Sequence, residues 1–106
     1  MIKKIFVALI CLPILVNAQS NYNLALIGTF NWNGLSYDSE GSDIWGWSDP
    51  ITGNEYALVG LNSGFSVVDI SSPQSPTEAF FISGVNSTWR DIKTWGHHAY
   101  ITCDDG

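Results

Sequence analysis

The chain matches itself at an offset of 42 residues, and this constrains its architecture more than any other feature. The run from Trp47 to Gly64 lies over the run from Trp89 to Gly106 without a gap. Trp47/Trp89, Asp49/Asp91, Thr52/Thr94, Ala57/Ala99 and Gly64/Gly106 are identical, and Val59/Ile101 and Asn62/Asp104 are conservative. Five identities fall in 18 aligned positions, where chance gives about one. A repeat of roughly 40–45 residues built from short strands is the sequence mark of a β-propeller blade. The second copy ends at the glycine of its first hairpin turn, so the sequence reads as a fragment holding about two blades, the second incomplete.

The strand pattern agrees with the period. After the first eighteen residues no helical periodicity appears, and short runs rich in aliphatic and aromatic residues alternate with turn-forming residues. Leu24–Phe30 reads as a first strand and 31–46 as a polar loop rich in Gly, Ser, Asp, Asn and Trp. The first full repeat reads as four strands: a short one near Trp47–Thr52, then Tyr56–Leu61, Phe65–Ile70 and Glu78–Ile82. Asn62-Ser63-Gly64 turns the chain between the second and third, and Pro73 and Pro76 stop the third and fourth from running together. The second repeat supplies Asp91–Trp95 and Ala99–Cys103. The expected fold is all-β: a propeller of short, four-stranded antiparallel blades. Standing alone, the second blade leaves Ala99–Cys103 as an open apolar edge, which favours aggregation.

Residues 1–18 have a different character. Lys3 and Lys4 precede the apolar stretch Ile5–Val16, and Val16-Asn17-Ala18 forms a cleavage site before Gln19. This is the layout of a secretory signal peptide, too short for a membrane span. Ile10 before Cys11 is not the small residue that a lipid-attachment signal needs. The domain reading is therefore a signal peptide at 1–18 and the N-terminal part of a propeller at 19–106. Beyond residue 18, ten acidic side chains face only Arg90 and Lys93, a formal charge of −8. Nucleic acids and anionic membranes recruit Lys/Arg patches, so neither suits this surface. The one remaining cysteine, Cys103, gives no disulfide framework and reads as a small buried residue on a strand.

Phe65-Ser66-Val67-Val68-Asp69-Ile70-Ser71-Ser72-Pro73 resembles the LVIVD repeat, in which an aliphatic run ends in Asp, Ile and a Ser/Asn-Pro turn. The stretches Asp43–Trp47, Glu55–Gly64 and Ser87–Thr94 are similar to the choice-of-anchor B family of secreted bacterial proteins, with Trp89-Arg90-Asp91-Ile92-Lys93 the most specific part. The resemblance covers the chain from Leu24 to Gly106. It implies an exported β-propeller, often tethered to the cell surface by a variable C-terminal anchor. It brings no catalytic residues.

Several side chains stand out as candidates. Asp38, Glu40 and Asp43, with Gly41 for a tight turn, can supply oxygen ligands to calcium, though not at EF-hand spacing; the alternative is a solvated acidic loop. Trp32 and Trp45 flank that loop, where indoles can stack on a sugar or anchor a peptide. Trp47 and Trp89 recur at the repeat offset and read as scaffold. Asp49 and Asp91 likewise read as turn caps or as acceptors for backbone amides between blades. Arg90 faces Ser48 in the self-match and has no counterpart, which makes it a binding candidate against a structural ion pair. His97 and His98 read as turn residues, since neighbours on a strand point to opposite faces. No nucleophile motif of the Gly-x-Ser-x-Gly kind occurs. The reading that follows is a secreted or cell-surface, non-catalytic binding or scaffold module for an extracellular glycan or protein. The alternative is part of a secreted hydrolase or lyase acting on extracellular polysaccharide.

Overall fold

In a computed structural model the chain is described over residues 23–35 and 40–104. The expected signal peptide at 1–18, the candidate ligand Asp38 and the final residues 105–106 lie outside the described residues. Six strands follow in order: β1 (Gly41–Ser48), β2 (Glu55–Leu61), β3 (Gly64–Asp69), β4 (Thr77–Ser83), β5 (Arg90–Trp95) and β6 (His98–Cys103). β1 to β4 form one antiparallel meander in sequence order, and β5 and β6 form a separate antiparallel pair. This is one complete four-stranded blade followed by the first half of another. No helix is present among the described residues.

The turns are set by local chemistry. Asn62-Ser63 joins β2 to β3, and Leu61 pairs with Gly64. A side chain at Gly64 would bring its Cβ to 2.2 Å from the Ile82 carbonyl, so glycine is required by close approach. The β5–β6 turn is Gly96-His97, with Gly96 at φ 58°, the left-handed conformation that glycine takes most readily. At the end of β3 the Asp69 carboxylate accepts the Ser71 N–H at 2.8 Å. The Asp that closes the aliphatic run thus ends the strand, by bending the chain ahead of Pro73.

Two expected strands differ. The first strand of the blade is Gly41–Ser48, not Trp47–Thr52. Residues 49–54 turn instead: Asp49 accepts the Ile51 N–H (2.9 Å) and the Thr52 hydroxyl (2.7 Å), and its carbonyl accepts the Gly53 N–H (2.8 Å). Asp-Pro-Ile-Thr-Gly is turn chemistry, and the strand pattern precedes it within what reads as a polar loop. Leu24–Phe30 forms no strand, because no neighbour pairs with it among the described residues. It lies against the β3–β4 loop, where Gly28 passes so close to the Pro73 carbonyl that a Cβ would overlap it.

The repeat itself is in a different register from the ungapped match. Trp47 pairs with Tyr56 and Trp95 with His98. On the second strand of each hairpin the offset is 42 residues, from Tyr56 to His98; on the first it is 48, from Trp47 to Trp95. The six-residue difference is the Asp49–Asn54 turn. The structural counterparts are therefore Asp43/Asp91, Ile44/Ile92 and Trp47/Trp95, whereas beyond the bulge in β1 Gly41 matches Arg90 and Trp89 falls at the place of Glu40. The Trp47/Trp89, Asp49/Asp91 and Thr52/Thr94 identities do not overlay.

The core lies in the seam between the blades. Leu58, Phe65 and Val67 of the first sheet are buried with Ile92 of β5, and Trp47, Tyr56 and Ile101 pack around them. Alternation along the strands puts Ile92 and Ile101, directly paired, on the face of the hairpin turned to the first blade.

Candidate functional site

The seam is tied by groups from both blades. The Trp45 indole donates to the Thr94 hydroxyl (2.9 Å), and the Trp47 indole donates to the Gly96 carbonyl (3.0 Å). The Ile92 N–H donates to Asp43 Oδ2 (2.9 Å), and the Arg90 N–H donates to the Ser42 hydroxyl (3.2 Å). The backbones come close here, since a Cβ at Gly60 would sit 2.6 Å from the Arg90 carbonyl. Lys93 reaches back with its amine 3.7 Å from Asp43 and 4.5 Å from the centre of the Trp45 ring.

Above the core, the seam opens into a cleft of about 440 Å³. Its walls are Trp47, Tyr56, Phe65 and Phe80 from the first blade and His97 and His98 from the second hairpin. Trp47 and Tyr56 stack at 5.8 Å, Phe65 meets Phe80 edge-on at 6.1 Å, and His97 stands edge-on to Trp47 at 5.9 Å. Asp49 adds a carboxylate to this mostly aromatic lining. The volume lies within the usual range for small-ligand sites, roughly 300–1,000 Å³.

The side chains picked out from sequence are dispersed. Trp45 is partly exposed at the seam, with its indole N–H taken by Thr94. Trp32 lies away from the cleft lining; it packs edge-on to Phe30 at 5.3 Å, and its buried Nε1 finds no acceptor among the described residues. Arg90 is 6% exposed: Nε donates to the Leu61 carbonyl (3.0 Å) and Nη2 to the Val85 carbonyl (2.5 Å). Its guanidinium thus binds backbone oxygens of the protein itself. Of the calcium candidates, Glu40 is exposed and its carbonyl accepts the Asn62 N–H, while Asp43 is occupied by Ile92 and Lys93. Among the described residues no three His, Cys, Asp or Glu side chains cluster as a metal site. Trp47 packs in the core as expected for scaffold, but Trp89 is largely exposed. Cys103 is exposed at the end of β6 rather than buried. Sequence reasoning missed Tyr56, Phe65 and Phe80 as cleft residues, since each reads as an ordinary apolar position of its strand.

Three aspartates have lowered pKa values, each by donated hydrogen bonds: Asp43 by the N–H groups of Ile92 and then Ile44, with Lys93 adding to them. For Asp49 the leading cause is the Thr52 hydroxyl, then the Ile51 N–H; for Asp69 it is the Ser71 hydroxyl, then its N–H. A carboxylate whose folded pKa is depressed stabilises the fold above its unfolded pKa, about 3.9 for aspartate. That contribution disappears as pH falls through the folded value. The urea midpoint is therefore expected to hold between pH 7 and 5 and to drop below about pH 4. Asp43→Asn should lower the neutral-pH midpoint and flatten this dependence. An unchanged acid limb in Asp43→Asn would remove the seam from the explanation.

The fold and seam define a propeller-type repeat protein. The LVIVD repeat family matches residues 50–83, which span β2, β3 and β4 and place the Val67-Val68-Asp69 run on β3. No curated protein and no solved structure matches the chain. Among the described residues no helix is long and apolar enough to cross a membrane.

Proposed function

We propose that this chain is a secreted or cell-surface β-propeller acting as a non-catalytic binding or scaffold module, with the aromatic cleft at the blade seam as its ligand site. The observation that carries the reading is the cleft lining. Trp47, Tyr56, Phe65 and Phe80 offer flat apolar faces on the first sheet, and His97, His98 and Asp49 supply polar contacts. Such a surface takes the face of a sugar ring or an apolar side chain of an extended peptide. A glycan or protein ligand outside the cell suits it. Export rests on the signal-peptide layout of residues 1–18. Placement at the cell surface rests on the similarity of Trp89-Arg90-Asp91-Ile92-Lys93 and its neighbours to the choice-of-anchor B family.

The test uses protein recovered from the culture medium and the cell envelope. Intact mass reads whether residues 1–18 are gone. Tryptophan fluorescence then follows titration with neutral oligosaccharides and with extended apolar peptides. Phe80→Ala changes a partly exposed cleft residue on the edge strand β4 and is expected to weaken binding at least tenfold, about 1.4 kcal/mol, without loss of fold. Cleavage of the oligosaccharide during titration, or binding insensitive to Phe80→Ala, would overturn the reading.

A further inference from the structure

An asparagine followed by a small residue can react with its own backbone. The next peptide nitrogen attacks the side-chain carbonyl carbon, and a small following residue leaves that approach open. Among the described residues three asparagines meet this condition: Asn33 before Gly34, Asn62 before Ser63 and Asn86 before Ser87. Their surroundings separate them.

At Asn86 and Asn62 the backbone is tied. The Ser87 nitrogen, which would have to attack Asn86, donates its N–H to the Asn62 carbonyl (3.0 Å), and Ser87 is buried. Asn62 sits in the tight turn between the paired Leu61 and Gly64. Its N–H donates to the Glu40 carbonyl (3.1 Å), its carbonyl is taken by Ser87, and the Ser63 carbonyl accepts the Gly84 N–H (2.9 Å). Rotating either peptide into line for attack breaks these bonds.

At Asn33 the reacting groups are free. The Leu35 N–H donates to the Trp32 carbonyl (3.1 Å), so Asn33 and Gly34 are the central residues of a turn. Gly34 has φ 83°, as a type II turn demands of its second central residue. Both residues are exposed, and a Cβ at Gly34 would meet nothing within 4 Å. The Asn33 backbone N–H donates to Asn31 Oδ1 (3.2 Å). Neither the Asn33 side-chain amide nor the Gly34 N–H has a hydrogen-bond partner among the described residues. The turn belongs to a connection, and connections run over the surface of a domain whichever sheets flank them.

We propose that Asn33-Gly34 is a site of spontaneous deamidation, at which the folded chain converts Asn33 to a mixture of aspartate and isoaspartate. The Gly34 N–H loses its proton to hydroxide and the nitrogen attacks Asn33 Cγ. The new N–Cγ bond forms, the Cγ–Nδ2 bond breaks, and the amide nitrogen leaves as ammonia. Water then opens the cyclic imide. Opening at Cγ leaves aspartate; opening at the main-chain carbonyl leaves isoaspartate, with the chain routed through Cβ and Cγ. Either product adds a negative charge beside Trp32. Isoaspartate also lengthens the turn and removes the spacing that the Leu35–Trp32 bond needs. The extent of conversion records the age of the molecule.

Peptide mapping by mass spectrometry of the purified full chain, incubated folded and in urea at several mildly alkaline pH values, tests this. In the folded chain the Asn33 peptide is expected to gain the mass of an amide-to-acid change, in proportion to hydroxide, and to become a substrate for isoaspartyl methylation. The Asn62 and Asn86 peptides are expected to stay intact when folded and to convert in urea. Asn33→Gln, whose side chain closes a larger and slower ring, is expected to fold normally and to lose the isoaspartate signal. An Asn33 that stays intact in the folded chain, an Asn62 or Asn86 that converts alongside it, or an isoaspartate signal that survives in Asn33→Gln would each overturn the proposal.

Discussion

Ile92→Ala is expected to lower the free energy of unfolding by about 2–5 kcal/mol, the range for deleting a buried aliphatic side chain and leaving a cavity. Ile92 is wholly buried, and its neighbours Leu58, Phe65 and Val67 sit on strands held on both sides by their own sheet. Those strands cannot collapse into the space without breaking ladder bonds, so the cost belongs toward the upper part of the range. The β5–β6 hairpin has little else apolar with which to grip the first blade, since only Ile101 accompanies Ile92 in the core. The urea midpoint should fall, and amide protection should be lost first in β5 and β6. The chain carries its own control. Ile44→Ala removes the same atoms at the equivalent position of the first blade, where the side chain is largely exposed, and should stay within about 0.5 kcal/mol. Equal effects at the two positions would mean that the seam does not hold the hairpin.

The contrast between Ile44 and Ile92 also marks what can be read from sequence. Alternation of apolar residues found β2, β3, β4, β5 and β6 to within about a residue or two, because each is bounded by glycine, proline or a polar turn. β1 escaped because Asp43-Ile44-Trp45-Gly46-Trp47 alternates faintly within a polar stretch, and its partner β2 supplies the regularity. The ungapped self-match then joined Trp47 to Trp89, although the Asp49–Asn54 turn displaces the first strand by six residues. Asp49 itself explains the error: it looks like a strand-end repeat of Asp91 but closes a turn through Ile51 and Thr52. The cleft was hidden for a different reason. Tyr56, Phe65, Phe80 and His97 come from four separate elements: the pairing of β2, β3 and β4 puts the first three on one face, and the packing of the hairpin on that sheet adds His97.

Arg90 is where local reading and structure differ most in kind, and Arg90→Met is expected to cost about 2–4 kcal/mol, the penalty for leaving buried carbonyls without donors. A residue lacking a repeat counterpart invites a binding role. In the structure the side chain lies inside the protein and bridges the Leu61 carbonyl at the end of β2 to the Val85 carbonyl in the β4–β5 crossover. Gly84 leaves space beside it, because a Cβ there would meet Nη1 at 3.2 Å. A guanidinium can serve both carbonyls because its donors are fixed in a planar fork, whereas a lysine amine is a single point on a flexible stem. Arg90→Lys is therefore expected to recover only part of the loss. The signature that separates this role from general core damage is local. Protease nicking at the crossover, residues 84–89, should rise more in Arg90→Met than in Ile92→Ala variants of similar overall stability. If Arg90→Met melts with wild type and the crossover stays protected, the carbonyl bridge is not a staple. If the same variant also loses oligosaccharide or peptide binding, the binding role returns to Arg90.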